Sequence, residues 1–179
     1  MATTKWNLDA AHSEVQFKVR HMMVSTVTGH FNKFDATVEM QDDDVSTARV
    51  HFTADLSSIT TNNEQRDGHL RSGDFFDAEN HPQIIFDSTK MEQAGDDYKL
   101  HGTLTMRGVS KPVVLDVEYG GVIQDPWGLT RAGFSVAGKL SRKEFGVSWS
   151  QVTETGGIVV SDEVKLHANV EFTKEQPAA

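Results

Sequence analysis

Hydrophobic and polar residues alternate with a period of two along most of the chain. In Glu14–His21, for example, Val15, Phe17 and Val19 fall on one face, and polar residues lie between them. This alternation is typical of a strand with one face against a core and the other in water. It predicts eight strands, at residues 14–21, 34–40, 48–56, 84–88, 98–106, 113–119, 132–140 and 164–172.

Eight consecutive strands with one apolar face each predict an antiparallel sheet with a single inner surface. Closing this sheet removes its exposed edges, so we expect an all-β, eight-stranded antiparallel barrel. Such a barrel is either filled by its own side chains or holds one small ligand. Many inward positions are small, which favours a cavity over a packed core. They are Ala36, Ala48, Ala54, Ser88, Gly102, Ala132, Gly138 and Ala168.

The alternation is interrupted at Thr60–Phe86. Asn62 is a suitable helix cap with Gln65 three positions later, and Asp67 and Arg71 are spaced one turn apart. We therefore predict a short helical excursion between strands three and four. It is either a plug that closes one end of the barrel or the lid of a ligand cavity. The predicted lid residues are Arg66, Asp67, His69, Leu70, Phe75 and Phe76.

Composition and charge limit the partners. The 179 residues fit one domain, 1–179, with a core at about residues 5–173 and a short frayed tail. The formal net charge of -9 argues against nucleic acid, because phosphate binding requires a basic face. No segment has transmembrane length, so we expect no stable membrane insertion. The N-terminus lacks an apolar signal-like segment, so we expect a cytoplasmic location, or a periplasmic one if a signal was removed.

The chain carries few signs of catalysis. Its eight histidines show no metal-binding spacing such as HxH or HExxH, and it contains no cysteine. It has neither a G-x-S-x-G elbow nor a glycine-rich phosphate loop. We therefore expect no catalytic residue, no metal and no cofactor. The alternative is a barrel enzyme that uses His21 as a general base.

Short motifs in a fixed order connect the chain with a known family. They include Trp6-x-x-Asp9-x-x-His12-Ser13, Gly29-His30-Phe31, Arg66-Asp67-x-His69-Leu70, Asp74-Phe75-Phe76-Asp77, His81-Pro82 and Arg142-x-x-Phe145-Gly146. This ordered set resembles the YceI-like family of bacterial lipid-binding proteins over nearly the whole chain. The histidine before Pro82 departs from the tyrosine that is common at this point in the family.

The resemblance implies an extended lipocalin-like barrel with a polyisoprenoid chain in its lumen. It implies transport, storage or sequestration of an isoprenoid quinone or prenyl lipid, without catalysis. In this hypothesis the head group lies near His21, Arg107 and Trp149 at the mouth. The ligand tail lies among Phe17, Phe34, Phe52, Phe86, Leu104, Phe134 and Val136. The alternatives are an enzyme acting on a lipid-like substrate and a ligand-free, stress-related barrel. Whether the protein forms a homodimer is left open.

Overall fold

The structure is a computed structural model that describes residues 2–22, 24–147 and 160–176. One α-helix, α1 at Glu64–Arg71, lies among strands in this part of the chain. The strands are β1 Thr3–Leu8, β2 Glu14–His21, β3 Ser25–Phe31, β4 Phe34–Gln41, β5 Asp44–Asp55, β6 Ile59–Thr60, β7 Gln83–Ala94, β8 Asp97–Met106, β9 Val109–Gln124, β10 Thr130–Ser141 and β11 Glu163–Lys174. Short 3-10 helices are formed by Ala10–His12, Leu56–Ser58 and Arg142–Phe145.

Eight of these strands close into a barrel. Neighbouring strands are hydrogen-bonded in the order β1–β4–β5–β7–β8–β9–β10–β11, and β11 pairs with β1 to complete the ring. Every pairing in the ring is antiparallel. The predicted fold class, an eight-stranded antiparallel barrel with one short helix, is confirmed.

The other three strands lengthen the first part of the wall. β11 pairs with β1 through Phe172 and Leu8, and with β2 through Ala168 and Val15. β1 and β2 therefore follow one another along the same edge of β11, with the 3-10 helix Ala10–His12 between them. In the same way β3 and β4 follow one another and pair with β2 and β1, respectively. β5 and β6 come next and pair with β4 and β3, respectively.

The alternation fails to predict these broken strands. It predicts an irregular lead-in at residues 6–12 and a connection at residues 22–28, but β1 and β3 occupy much of both ranges. β1 reads T-T-K-W-N-L and β3 reads S-T-V-T-G-H-F, so neither carries enough apolar residues for a clear period. β1 forms because it lies between partners that are distant in sequence, as Trp6 does between Val38 and Lys174. β3 forms a hairpin with the preceding strand β2 and also pairs with the distant β6.

The barrel interior is built from the predicted inward faces. Ala36, Leu100 and Leu104 are buried in one hydrophobic core. Some small residues accommodate a neighbouring ring instead of leaving space. A Cβ atom at Gly102 would lie 2.5 Å from the ring of Phe86. The interior is therefore partly interlocked, as the packed-core alternative expects, and partly open.

The helix begins one residue later than the cap prediction implies. Asn63, not Asn62, is the N-cap, and its Oδ1 accepts a hydrogen bond from the Arg66 amide at 3.0 Å. Asn62 instead takes a left-handed conformation, with φ of 62°. No helix in the described part of the chain is long and apolar enough to cross a membrane.

Candidate ligand-binding lumen

A cavity of about 160 Å³ lies inside the barrel wall. Its lining is apolar except for Gln16 and His167, which face each other on β2 and β11. The apolar members come from strands all round the ring and are Val15, Phe31, Ala36, Val50, Phe52, Ala54, Ile84, Phe86, Leu100, Leu104, Met106, Val113, Leu115, Val136, Leu140, Leu166, Ala168, Val170 and Phe172.

A second cavity of about 80 Å³ lies beneath the lid, which we define as residues 61–80. Leu70, Phe75 and Phe76 of the lid line it, together with Phe17, Val19, Val147, Val160, Val164 and Arg142. The two cavities share five wall residues, so they are adjacent. Within the described part of the chain, only the smaller one is lined by lid residues. The shared residues are Phe31, Ile84, Met106, Leu140 and Leu166.

The first part of the lid is held by a buried carboxylate. Asp67 accepts hydrogen bonds from the amide of Thr61 at 2.7 Å and from its hydroxyl at 2.6 Å. Arg66 also binds Thr61: its Nε donates to Thr61 Oγ1 at 2.7 Å, and its Nη2 donates to the Thr61 carbonyl oxygen at 2.8 Å. Arg66 and Asp67 therefore fix the start of α1 to the end of β6, which is a structural role.

The second part of the lid is held by Arg107 in the β8–β9 turn. Its Nη1 donates to the carbonyl oxygens of Gly73 and Phe75, both at 2.6 Å. The buried ring of Phe75 in turn meets the ring of His69 edge-on, with centroids 5.0 Å apart. His69 Nε2 lies 2.8 Å from Asp74 Oδ2. Arg107 thus acts as a latch that connects the barrel wall to the lid backbone.

Arg142 closes the same end of the barrel from the opposite side. It is buried, and its guanidinium donates to the carbonyl oxygens of Val147, Ser161 and Val160 at 2.7, 2.9 and 3.1 Å. Burial lowers the pKa of Arg142, partly offset by the charge of Asp162. These bonds hold together the chain on the two sides of residues 148–159. The motif with Phe145 and Gly146 is the sequence signal for this residue.

The sequence-predicted ligand residues fall into five groups. Phe52, Phe86, Leu104 and Val136 line the larger cavity, and Phe17 lines the cavity under the lid. Phe34 and Phe134 lie outside both linings. Phe34 packs against Phe52, and Phe134 stacks on Tyr119. At the mouth, Arg107 binds the lid backbone, and half-buried His21 forms a β-bridge with Val160. Trp149 lies outside the described residues.

Sequence reasoning missed several lining residues. Phe31 lies on β3, which the alternation does not predict, and it is one of the residues that separate the two cavities. The alternation places Ile84, Leu140 and Leu166 on inward faces, and their position on strand ends near the lid is the signal that could have assigned them to the ligand site. No sequence signal marks Gln16 and His167 as lining residues, because the alternation places both side chains on the outward face of their strands.

A polar cluster occupies the outer surface at the end opposite the lid. Arg131 donates to Asp125 Oδ2 and Asp9 Oδ2, both at 2.7 Å, and lies 3.5 Å from Glu171. The hydrogen bonds from Arg131 and His12 lower the pKa of Asp9. Burial raises the pKa of Asp125, but hydrogen bonds from Arg131 and two backbone amides bring it below its ordinary value.

The same cluster contains a geometric candidate for a metal site. One ligand atom each from Asp9, His12 and Glu171 lie within 4.8 Å of one another. The guanidinium of Arg131 already neutralises Asp9 and approaches Glu171. A cation at this position would meet that fixed positive charge, so the donor set suits the internal ion pairs better than a metal ion.

The fold and the lumen define an antiparallel barrel with an enclosed apolar interior and a latched lid at one end. A model of the YceI-like domain matches residues 6–172, and the chain belongs to the YceI-like family. A UPF0312 protein of Staphylococcus aureus strain USA300 is 38% identical over 171 residues, covering 95% of this chain and 98% of that protein.

Solved structures show the same architecture. The YceI protein of Campylobacter jejuni aligns with a TM-score of 0.76 and 36% identity, over 94% of this chain and 96% of that one. A polyisoprenoid binding domain from Saccharophagus degradans aligns with a TM-score of 0.65 over 95% of this chain and 98% of that one. At 15% identity, the second likeness concerns the fold.

Proposed function

We propose that the protein binds a long-chain apolar ligand in its lumen, and that the ligand is a polyisoprenoid lipid or an isoprenoid quinone. The observation that carries this proposal is the pair of neighbouring apolar cavities beneath a lid that is latched by hydrogen bonds. The family membership, and the ligand class after which the Saccharophagus degradans domain is called, support the same choice of first candidate. Transport, storage or sequestration follows, because enclosure removes the chain from water.

The size of the cavities determines how such a ligand fits. The larger cavity, about 160 Å³, is comparable to an engineered cavity of about 150 Å³ that holds benzene. It therefore takes a segment of roughly one isoprene unit without rearrangement. A longer chain extends into the second cavity when the side chains between them, such as Met106, change rotamer. Methionine suits this position because its side chain is unbranched and adaptable.

The linings favour binding over catalysis. In the described part of the chain, the polar side chains that line either cavity are Gln16, His167 and Arg142. Arg142 is engaged with backbone carbonyl oxygens. His21, the general base of the enzyme alternative, lies outside both linings. We infer a carrier without catalytic residues, and the open space inside the barrel favours it over a ligand-free barrel.

The test is to fill the lumen and measure binding of an added isoprenoid quinone. Ala168 lines the larger cavity, so Ala168→Phe adds a ring to the space that the ligand occupies. Ala137 is exposed on the outer face of β10, next to Val136, which lines the larger cavity, so Ala137→Phe adds the same volume outside the lumen. We expect Ala168→Phe to weaken quinone binding at least tenfold, while Ala137→Phe binds like the native protein.

Both variants are first compared by thermal unfolding, since the result is informative only for folded protein. Equal quinone binding by folded Ala168→Phe and by the native protein would place the ligand outside the lumen and contradict the proposal. Gly102 is unsuitable for this test. A Cβ atom there would lie 2.6 Å from the backbone oxygen of Asp87, which cannot move aside as a side chain can.

A further inference from the structure

The barrel wall parts between β9 and β10 at the lid end. Their ladder runs from Thr130 and Gln124 to Ala137 and Asp116. Beyond this point, and within the described residues, β9 continues to pair with β8 while β10 pairs with β11. The side chain of Leu115 covers the gap: a Cβ atom at Gly138 would lie 2.5 Å from Leu115 Cδ2. Side-chain packing therefore replaces backbone hydrogen bonds here.

This gap separates the lumen from an outer groove. Leu115 and Leu140 line the larger cavity on the inner side. Val114 and Lys139 line the groove on the outer side, and Leu166 borders both spaces. Opening this part of the wall requires side chains to move but breaks no ladder between β9 and β10. It is thus a short route between the lumen and the outside.

Three lysines form a row across the strands beside the gap. In the register of the sheet, Lys18 on β2 faces Lys165 on β11, and Lys165 faces Lys139 on β10. All three are exposed. Like charges directly opposite one another destabilise a sheet. A row of this kind in a chain of net charge -9 is therefore a feature that folding does not explain.

The row keeps its positive charge available. The lysines that form ion pairs in the described part of the chain are Lys90, Lys99 and Lys174, which lie elsewhere. The acid that borders the same groove, Asp116, is bound to Lys99 at 2.9 Å. The lysine row is therefore a local basic surface on an otherwise acidic protein.

Exposed apolar side chains lie in the β2–β3 turn, at the end of the strand that carries Lys18. Val24 is 82% exposed and Met22 is 46% exposed. Both follow directly from the strand that carries Lys18. Peripheral attachment to a membrane combines apolar side chains that enter the interface with basic residues that attract anionic head groups.

We propose that the lysine row, with Met22 and Val24, docks the protein on an anionic lipid surface, so that the parted wall between β9 and β10 faces the membrane. The proposal rests on the proposed function for its purpose, because an apolar ligand kept from water is best collected at a membrane. The charge of the surface determines the occupant: phosphate-bearing head groups complement the three lysines of the row.

The test is co-sedimentation of the ligand-free protein with vesicles. We expect binding to vesicles of phosphatidylglycerol and phosphatidylcholine in equal parts, and little binding to phosphatidylcholine alone. Each lysine near the surface contributes roughly fivefold in affinity, so Lys18→Gln/Lys139→Gln/Lys165→Gln should bind about a hundredfold more weakly. The binding should also weaken as salt is added, because salt screens exposed charges.

A matched control removes the same charge elsewhere. Lys5, Lys33 and Lys90 are exposed and lie away from the row, so Lys5→Gln/Lys33→Gln/Lys90→Gln has the same net charge as the first variant. It should retain most of the vesicle binding. Equal loss in both triple variants, or native protein that ignores anionic vesicles, would overturn the proposal.

The main competing surface is at the opposite end of the barrel. Trp127 and Ile123 of the β9–β10 hairpin are 80% and 66% exposed. Trp127→Gln/Ile123→Gln should leave vesicle binding unchanged. Loss of binding in this variant would show that the β9–β10 hairpin contacts the membrane, and would contradict the proposal. Vesicle binding is measured without lumen ligand. A protein that binds quinone but no vesicle would contradict the docking surface alone, and the reverse result would contradict the proposed function alone.

Discussion

The two ends of the barrel are held by arginines that use different partners. At the lid end, Arg107 and Arg142 donate to backbone carbonyl oxygens. At the opposite end, Arg131 pairs with the carboxylates of Asp9 and Asp125. A carbonyl oxygen released by the lid can bond to water without leaving an unpaired negative charge. We infer that the lid end opens locally, whereas the opposite end stays closed with the rest of the wall.

The largest predicted effect is a difference in global stability between two variants, one that removes a buried ring from the barrel wall and one that removes a buried ring from the lid. Trp6 lies in the wall with almost no exposure, so Trp6→Ala should lower the free energy of unfolding by about 3–5 kcal/mol. Phe75→Ala removes a buried ring from the lid and should lower global stability much less, because the lid opens before the barrel unfolds. Urea unfolding of both variants measures the difference. Equal losses would mean that lid and wall form one cooperative unit.

The latch itself provides the next prediction. Arg107→Gln removes a charged donor to Gly73 and Phe75, and hydrogen bonds to charged groups contribute about 1.5–3 kcal/mol. Amide hydrogen exchange in the lid, residues 61–80, should therefore become roughly ten- to a hundredfold faster, with little change in β7–β11. Lys111→Gln, on an exposed residue of the same β8–β9 region, is the control. Unchanged exchange in the lid would show that Arg107 does not hold it closed.

The helix cap should produce a smaller effect of the same kind. Asn63→Ala removes the side-chain acceptor for the Arg66 amide, and a lost N-cap costs about 1 kcal/mol. Hydrogen exchange within α1 should accelerate about fivefold. Asn62→Ala is the matched control for the neighbouring position, although the left-handed conformation of Asn62 favours asparagine and adds strain of its own. Faster exchange in the whole barrel would contradict a local effect.

The smallest effect concerns the ion pairs at the opposite end of the barrel, and it is present at neutral pH and disappears in acid. The pKa values of Asp9 and Asp125 lie below their ordinary values in the folded protein. Such groups stabilise the fold above their unfolded pKa, about 3.9, and this stabilisation is lost as the pH falls through the folded pKa. Arg131→Gln removes the partner that both share, so its acid unfolding midpoint should move to higher pH.

Circular dichroism during an acid titration measures this midpoint. The control is Lys99→Gln, because the partner of Lys99, Asp116, is well exposed. This variant should have the same acid unfolding midpoint as the native protein. A native midpoint in Arg131→Gln would show that the two carboxylates do not stabilise this end. Arg107 and Arg142 at the lid end bind backbone carbonyl oxygens, so we expect no comparable acid transition from them.

Local alternation predicted much of this molecule and missed parts that depend on distant contacts. The inward faces of β4, β5 and β7–β11 follow from a period of two, since each carries several apolar residues on one side. β1 was missed because its partners β4 and β11 are distant in sequence and not visible in a short segment. β3 was missed because it carries few apolar residues, although it forms a local hairpin with β2. Phe31, which separates the two cavities, was missed with its strand.

The lid is recognisable from the change of period at Thr60–Phe86, but its contacts are not. The sequence predicts Arg107 near a ligand head group, and the bonds that it donates to two backbone carbonyl oxygens of the lid were not predicted. Every residue has a carbonyl group, so no sequence signal marks which of them an arginine will find. The same limit applies to Gly102 and Gly138, which the pattern marks as free space and which lie against Phe86 and Leu115.

The most direct test of lumen binding is native mass spectrometry of the purified protein, followed by organic extraction and lipid analysis. We predict a co-purifying polyisoprenoid lipid or isoprenoid quinone near one molecule per chain, reduced in Ala168→Phe and retained in Ala137→Phe. The proposed carrier function would be contradicted if the purified protein carried no lipid and also took up no added quinone, although rapid amide hydrogen exchange showed that its lid opens.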